Sequence, residues 1–240
     1  MTDLFRGVRD KIDFRLNARK EYETRVASKG RILDVGGRNR FSRSRKQLEQ
    51  LSQGYHNAIV CTDIIFRYKP DIVDDICDTA IKPNSFDGVY CEAILEHVKE
   101  YWKAVDNIYD IMKKNAEAFF YVPFMYHFHD FMDYHRFTFT EVARMLNKFR
   151  QVKIFVPGES DGFGWVFWYV VTMTNMPKFS HLHGILAKLT NSFLKVCLSI
   201  VYKLKEKQIR QKYNNISAED FCYYYTYLFM NHGFCAWAKK

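Results

Sequence analysis

At 240 residues the chain has room for one full α/β domain with an elaboration, and too little for two enzymatic domains of ordinary size. Its 48% hydrophobic and 17% aromatic content excludes a disordered chain, because that much apolar surface offsets the entropy of ordering. A formal net charge of +9 favours encounter with phosphates, nucleotide-linked substrates, nucleic acid or lipid headgroups, and selects none of them.

Residues 1–28 mix Leu4, Phe5, Val8, Ile12, Phe14 and Leu16 with many Arg and Lys, which predicts a basic helical lead-in. Arg31 to Arg38 (Arg-Ile-Leu-Asp-Val-Gly-Gly-Arg) then reads as a short buried strand broken by two glycines. The backbone can turn sharply there and approach a ligand before a helix begins. This is the first strand-turn-helix of a nucleotide-type α/β unit, in which ligands bind beyond the carboxyl ends of the strands. The glycines alone do not choose among the nucleotide cofactors that use such a turn.

Ser42 to Gln53 is polar and helix-forming, with Gly54 as its C-cap, and Ala58 to Thr62 is a second strand ending at Asp63. An ionised, acceptor-only side chain at that strand end suits ribose hydroxyls, against the plainer alternative of a turn residue. Phe86 to Cys91 is a buried-type strand, so Glu92, Glu96 and His97 fall on the same rim as Gly36 and Asp63.

An amphipathic helix is predicted over Glu100–Asn115, with Trp102, Val105, Ile108, Ile111 and Met112 on its apolar stripe, followed by a strand over Ala116–Val122. Residues 123–137 form a loop dense in His, Asp and Tyr. Thr138-Phe-Thr-Glu141 is a capping box opening a helix, and Val152 to Val156 is a strand closed by Pro157-Gly158.

The character then changes. Gly164 to Met173 is apolar and aromatic, and Gly184 to Lys207 has helical period with Lys188, Lys195, Lys203, Lys205 and Lys207 interspersed, a basic amphipathic helix. That helix is expected either to pack over the core or a second subunit, or to touch a membrane surface. Ser217-Ala-Glu-Asp220 caps another helix, and Phe234 to Ala238 is a last short strand.

The six cysteines include no C-x-x-C pair and sit mostly in apolar runs, so free thiols are expected rather than disulfides or a zinc site. No stretch approaches about 18 uninterrupted apolar residues, and the N-terminus lacks an apolar core of signal-peptide length. A cytoplasmic protein, with membrane association through the basic helix as an option, is the expectation.

Taken together the motifs resemble the class I S-adenosylmethionine (SAM)-dependent methyltransferases, in the branch that includes quinone-biosynthesis and surface-polysaccharide-cluster enzymes. The matching pieces are Ile32-Leu-Asp-Val-Gly36, Asp63, Asp75-Ile76, Ser85-Phe-Asp-Gly-Val-Tyr-Cys91 with Leu95-Glu-His-Val98, and Asp133-Tyr-His-Arg-Phe-Thr138. The resemblance implies a Rossmann-like seven-stranded sheet flanked by helices with the last strand antiparallel. It assigns 29–157 and 233–240 to the core of one domain and 158–232 to an aromatic-rich helical insertion, a substrate lid or interface. SAM is the implied cofactor, held by Asp34, Gly36, Gly37 and Arg38 at the turn, Asp63 and Ile64 on the ribose side, Asp75 and Ile76 on the adenine side, and Cys91 and Glu92 at the fourth strand. Arg38 departs from the pattern, which has glycine there; it could pair the methionine carboxylate of SAM or obstruct the turn.

Methyl transfer from a sulfonium needs an aligned acceptor and removal of its proton. His135 is the first candidate base and His97 the second, with His127, His129, Tyr134 and Arg136 as acceptor contacts. The alternative for Asp133–Thr138 is loop anchoring. No metal is expected from His127, His129, Asp130, Asp133 and His135, since loops of this composition are commonly just polar. The expected acceptor is a small molecule, anionic, glycan-like or lipid-linked, methylated at oxygen, with a homodimer or peripheral membrane contact through 158–232. The alternatives are a methyltransferase of RNA or protein, favoured by the basic charge, and a non-catalytic protein of this fold; nucleic acid is argued against by Tyr90-Cys-Glu-Ala93, which stands where amino-methylating nucleic-acid enzymes carry Asn/Asp-Pro-Pro-aromatic. A dinucleotide is argued against because Gly36-Gly-Arg-Asn-Arg-Phe41 lacks the G-x-G-x-x-G spacing.

Overall fold

The computed structural model of the chain describes residues 3–39, 42–172 and 180–240. Arg40 and Phe41, which close the glycine-turn segment, and Met173, which closes the aromatic run, lie outside these.

Among the described residues, seven strands form one sheet: β1 (Arg31–Val35), β2 (Ala58–Asp63), β3 (Ile72–Val73), β4 (Phe86–Glu92), β5 (Met112–Pro123), β6 (Gln151–Phe155) and β7 (Gly233–Lys239), in spatial order β3-β2-β1-β4-β5-β7-β6. The order reverses at β1/β4, and β7 runs antiparallel to both β5 and β6 while the other pairings are parallel. All the predicted strands are present. Because successive strand residues face opposite sides, Ile32, Tyr90 and Phe119 pack beneath α1 (Ala18–Ala27) and α2 (Arg43–Leu51), while Leu33, Val89 and Phe120 join the larger core on the other side. That second face is covered by α3 (Tyr101–Ile111) and α4 (Phe139–Met145).

The helix expected over Glu100–Asn115 stops at Ile111, and Met112 is already the first residue of β5. Asn115, at φ +65°, and a shift in the β4–β5 register between Phe86 and Gly88 absorb the change from helix to strand. Met112 therefore extends the apolar stripe in sequence while being buried as strand. Trp102, expected on that stripe, is 48% exposed and sits edge-on to Tyr101.

Between β6 and β7 lie α5 (Phe163–Thr172), α6 (Ser180–Lys212, with non-helical backbone at Lys205) and α7 (Ala218–Tyr223), which continues as a π-helical turn over Tyr224–Leu228. Thr138 and Ser217 cap their helices as expected, accepting from the Glu141 and Asp220 N–H groups. The six cysteines are free thiols, four of them buried.

The parallel strands β1, β2, β4 and β5 end on one rim. The antiparallel β7 begins on that rim, with Gly233 opposite Pro123. The loop 124–137, the turn after β1 and the chain entering α5 therefore meet at the same end of the sheet.

Candidate functional site

The turn after β1 is shaped by contacts that leave no room for larger residues. Gly36 has φ +65°, and a Cβ there would come within 2.3 Å of the Ile94 side chain. At Gly37 a Cβ would lie 2.1 Å from Asp34 Oδ2. Asp34 is 1% exposed, and its Oδ2 has no hydrogen-bond partner among the described residues. Burial pushes this carboxyl up to about 7, with Arg45 opposing the shift and Glu92 adding to it. A buried carboxylate with this oxygen unpartnered beneath a glycine cradle is suited to a cationic or hydrogen-bond-donating ligand group at the turn. Arg38 occupies the left-handed region at φ +59°, which explains why glycine is the usual residue there, and its guanidinium lies 5.3 Å from the centre of the Tyr68 ring.

Asp63 ends β2, is 9% exposed, and accepts the Ile65 N–H on Oδ1 at 2.8 Å. That bond fixes the carboxylate at the strand end. Ile64 is 60% exposed beside it. Asp75 is exposed and accepts the Cys77 N–H at 2.9 Å, while Ile76 is buried. At the end of β4, Cys91 is fully buried, and Glu92 turns to the α1 face, where it pairs with Arg19 and accepts the Tyr90 hydroxyl at 2.9 Å. Arg19, which the sequence reading passed over, also binds Glu23 at 2.9 Å. Among the described residues Glu23, four residues on, is the only local partner, and the contact with Glu92 of β4 is not marked in the sequence around Arg19.

The residues expected to contact an acceptor divide into anchors and available groups. Arg136 engages all five of its donors: Nε to the Tyr126 carbonyl, Nη1 to Asp133 and the His135 carbonyl, and Nη2 to Asp133 and the His127 carbonyl. It fastens the loop and has no donor left for an acceptor, unlike the contact role expected for it. The Arg136 pairing holds Asp133 down to about 2. His135 places Nε2 3.0 Å from the Lys99 carbonyl and its ring edge-on to Tyr101, so it too ties the loop to the body.

His97 and His129 are held differently. A carbonyl can only accept, so the 2.9 Å contact of His97 Nδ1 with the Met132 carbonyl places the hydrogen on Nδ1 and the lone pair on Nε2. His129 Nδ1 lies 3.2 Å from the His127 carbonyl and 3.1 Å from Asp133 Oδ2, with the same consequence. Their rings are 5.1 Å apart. His97 Nε2 lies 3.9 Å from Glu96 Oε1, and Glu96 is 1% exposed with Oε2 unpartnered among the described residues. Burial raises the Glu96 carboxyl to about 7, opposed by its backbone hydrogen bond and by Arg136 and reinforced by Asp133. Glu96, His97 and His129 each offer a ligand atom within 4.8 Å of the others, a donor set able to hold a divalent cation. This grouping was not readable from the loop, because two of its three members follow β4.

His127 reaches across to α5: its Nδ1 is 2.6 Å from the Tyr169 hydroxyl, and Tyr126 stacks on Trp165 and Tyr169. Trp165 in turn stacks on His232, just before β7. The aromatic spacing of Trp165 and Tyr169, one helical turn apart, was the available signal for this second wall. Tyr134 is 48% exposed, and its N–H donates to the Glu96 carbonyl at 2.8 Å.

Residues 41–120 match the family model described as a methyltransferase domain. A search of the curated proteins gives no match. Among solved structures, a SAM-dependent methyltransferase from Archaeoglobus fulgidus aligns over 92% of this chain and 90% of its own, with 15% identity and a TM-score of 0.53. Phosphoethanolamine N-methyltransferase 2 of Haemonchus contortus, in complex with SAM, aligns over 88% of this chain and 48% of its own, with 16% identity and a TM-score of 0.47. The Burkholderia thailandensis 1,6-didemethyltoxoflavin-N1-methyltransferase aligns over 55% and 67%, at 13% identity and a TM-score of 0.41. With the β3-β2-β1-β4-β5-β7-β6 order and the antiparallel β7, the chain has the fold of the class I SAM-dependent methyltransferases, and residues 41–120 match a methyltransferase domain.

Proposed function

We propose that the chain methylates an oxygen of a small, glycan-like or lipid-linked acceptor, with His97 as the base. The observation that carries this reading is the forced tautomer of His97: its Nδ1 hydrogen is committed to the Met132 carbonyl, leaving Nε2 basic on the rim beside the buried Glu96 carboxyl.

Bound SAM would supply an electrophilic sulfonium methyl at this rim. Asp34, Gly36 and Gly37 are the residues suited to its methionine end, Asp63 to its ribose and Asp75 with Ile76 to its adenine; the unpaired Asp34 oxygen and the absence of room for a Cβ at the turn fit that role. His97 Nε2 takes the proton of an acceptor hydroxyl as its oxygen becomes nucleophilic, and the neighbouring Glu96 carboxylate stabilises the imidazolium. His127, His129 and Tyr134 line the acceptor side, and Arg136 with His135 keep the loop in place. With the proton removed and the acceptor held in line, little further chemistry is asked of the protein.

The test is a panel of hydroxyl-bearing sugars and polyprenyl-linked sugars incubated with methyl-labelled SAM. Labelled product should form on at least one of them, and His97→Gln should lower kcat by about 10²- to 10⁴-fold with SAM affinity unchanged. Transfer to RNA or protein alone, or full activity in His97→Gln, would overturn the reading.

A further inference from the structure

Helix α6 packs on the protein with its mixed face and turns its most apolar face outward. The packed side carries Ala187, Asn191 and Tyr202, all buried. Asn191 accepts the Gly164 N–H at 2.7 Å and donates to the Glu159 and Asp161 carbonyls at 3.1 and 2.8 Å, and the Tyr202 hydroxyl donates to the Ile216 carbonyl at 2.7 Å. On the opposite side Ile185, Leu189, Phe193, Val196, Ile200 and Leu204 recur three or four residues apart and are 44–78% exposed. At 1.5 Å per residue this stripe runs for roughly 29 Å. Helix α5 continues it with Val170 and Val171, both more than half exposed.

A contiguous apolar surface of this length needs an occupant. The helix is long and apolar enough to cross a membrane by length and composition, with a mean hydropathy of 1.4 over its best window. Ala187, Asn191 and Tyr202 pack the helix along the domain, with 11% of that window buried, an arrangement that suits a helix lying on a surface rather than passing through one. The charges then distinguish a bilayer surface from a second copy of the chain. Residues 180–212 carry seven Lys and Arg against one acid, Glu206, and α5 carries no charge. Lys188 is held by Glu159, Arg210 by Glu206 and Lys195 over the Tyr227 ring, whereas Lys203, Lys205 and Lys207 have no ion-pair partner among the described residues. Two such faces brought together would set these cations against one another, whereas anionic headgroups supply the missing charge.

We propose that the outer face of α5 and α6 docks on an anionic lipid bilayer, with the helix lying in the plane of the interface. Because Tyr169 of α5 also contacts His127 on the rim, a lipid-linked acceptor would reach the site from that same side. This last point rests on the acceptor reading above; the docking does not.

The test is co-sedimentation of the intact chain with vesicles of pure phosphatidylcholine and of phosphatidylcholine containing one third phosphatidylglycerol. Binding to the anionic vesicles should exceed binding to the neutral ones at least tenfold, and each of Lys203→Glu and Lys207→Glu should lower it by about fivefold or more. Leu189→Asp with Phe193→Asp, both at exposed positions, should abolish it while leaving the fold by circular dichroism and the SAM titration unchanged. Equal binding to both vesicles, or none, overturns the proposal. So does a dimer that the double variant dissociates without any vesicle binding, or a chain released from membranes only by detergent. Since SAM affinity is measured on the same samples, failure of docking and failure of the methyltransferase reading are told apart.

Discussion

Asp34→Asn isolates the most unusual electrostatic feature of the turn. A carboxyl that ordinarily ionises near 3.8 does so here at about 7. Ionising it in the fold therefore costs about 4 kcal/mol, from about 1.4 kcal/mol for each unit. The sign follows from linkage: the folded group holds its proton more tightly, so its stabilising contribution is complete below about pH 4 and is lost as pH rises through about 7. The isosteric amide removes that dependence. Its buried N–H groups lack partners, at a penalty of about 1–3 kcal/mol. The variant should therefore be less stable than wild type by about 1–3 kcal/mol near pH 4 and more stable by a similar amount at pH 8. Urea unfolding at half-unit pH intervals from 4 to 8, comparing the two proteins at each pH, reads this difference directly, because Glu23 and Glu96, also raised by burial, titrate in both. A difference that stays constant across the range would refute the assignment of an unpaired, burial-shifted carboxyl to Asp34. Calorimetry at pH 8 should show at least tenfold weaker SAM binding by the stabilised variant.

Arg38→Gly removes a left-handed backbone strain of about 1–2 kcal/mol and a stacking contact with Tyr68 of about 0.5–1 kcal/mol, so thermal unfolding should show a gain of up to about 1 kcal/mol. SAM affinity should stay within about threefold; a loss of tenfold, about 1.4 kcal/mol, would show that Arg38 pairs the cofactor carboxylate. Gly37→Ala drives a Cβ into Asp34 and should destabilise by about 1–3 kcal/mol in urea unfolding while abolishing SAM binding in calorimetry. Arg136→Ala releases three carbonyls and Asp133 together; the acceptor KM should rise at least tenfold with SAM affinity unchanged, and an unaltered KM would show that the loop needs no fastening.

The strand-turn-helix region around β1 was legible in the sequence because its signals are local. A buried strand, two glycines and an acid at the next strand end are read within a few residues of one another, and the structure places Asp34, Gly36, Gly37 and Asp63 on one rim. The 124–137 side of the rim was less legible, because the contacts of its residues come from partners distant in sequence. His135 and Arg136 look like reactive groups until the Lys99 and Tyr126 carbonyls are seen to engage them. His97 gains its defined tautomer from Met132, 35 residues away. The boundary at Met112 was misplaced because an apolar residue satisfies both a helical stripe and the first position of a buried strand. For α6, periodicity identified an amphipathic helix but could not say that the protein would cover its more polar side.

The central claim, that the turn after β1 and the rim of β2 and β4 form a SAM site, is tested most directly by calorimetric titration of the purified chain with SAM and, separately, with NAD, alongside the Asp63→Ala variant. One SAM should bind per chain at micromolar affinity, NAD should not bind, and SAM binding should weaken at least tenfold when the Asp63 carboxylate is removed. Binding of NAD in place of SAM, or SAM affinity indifferent to Asp63, would contradict it.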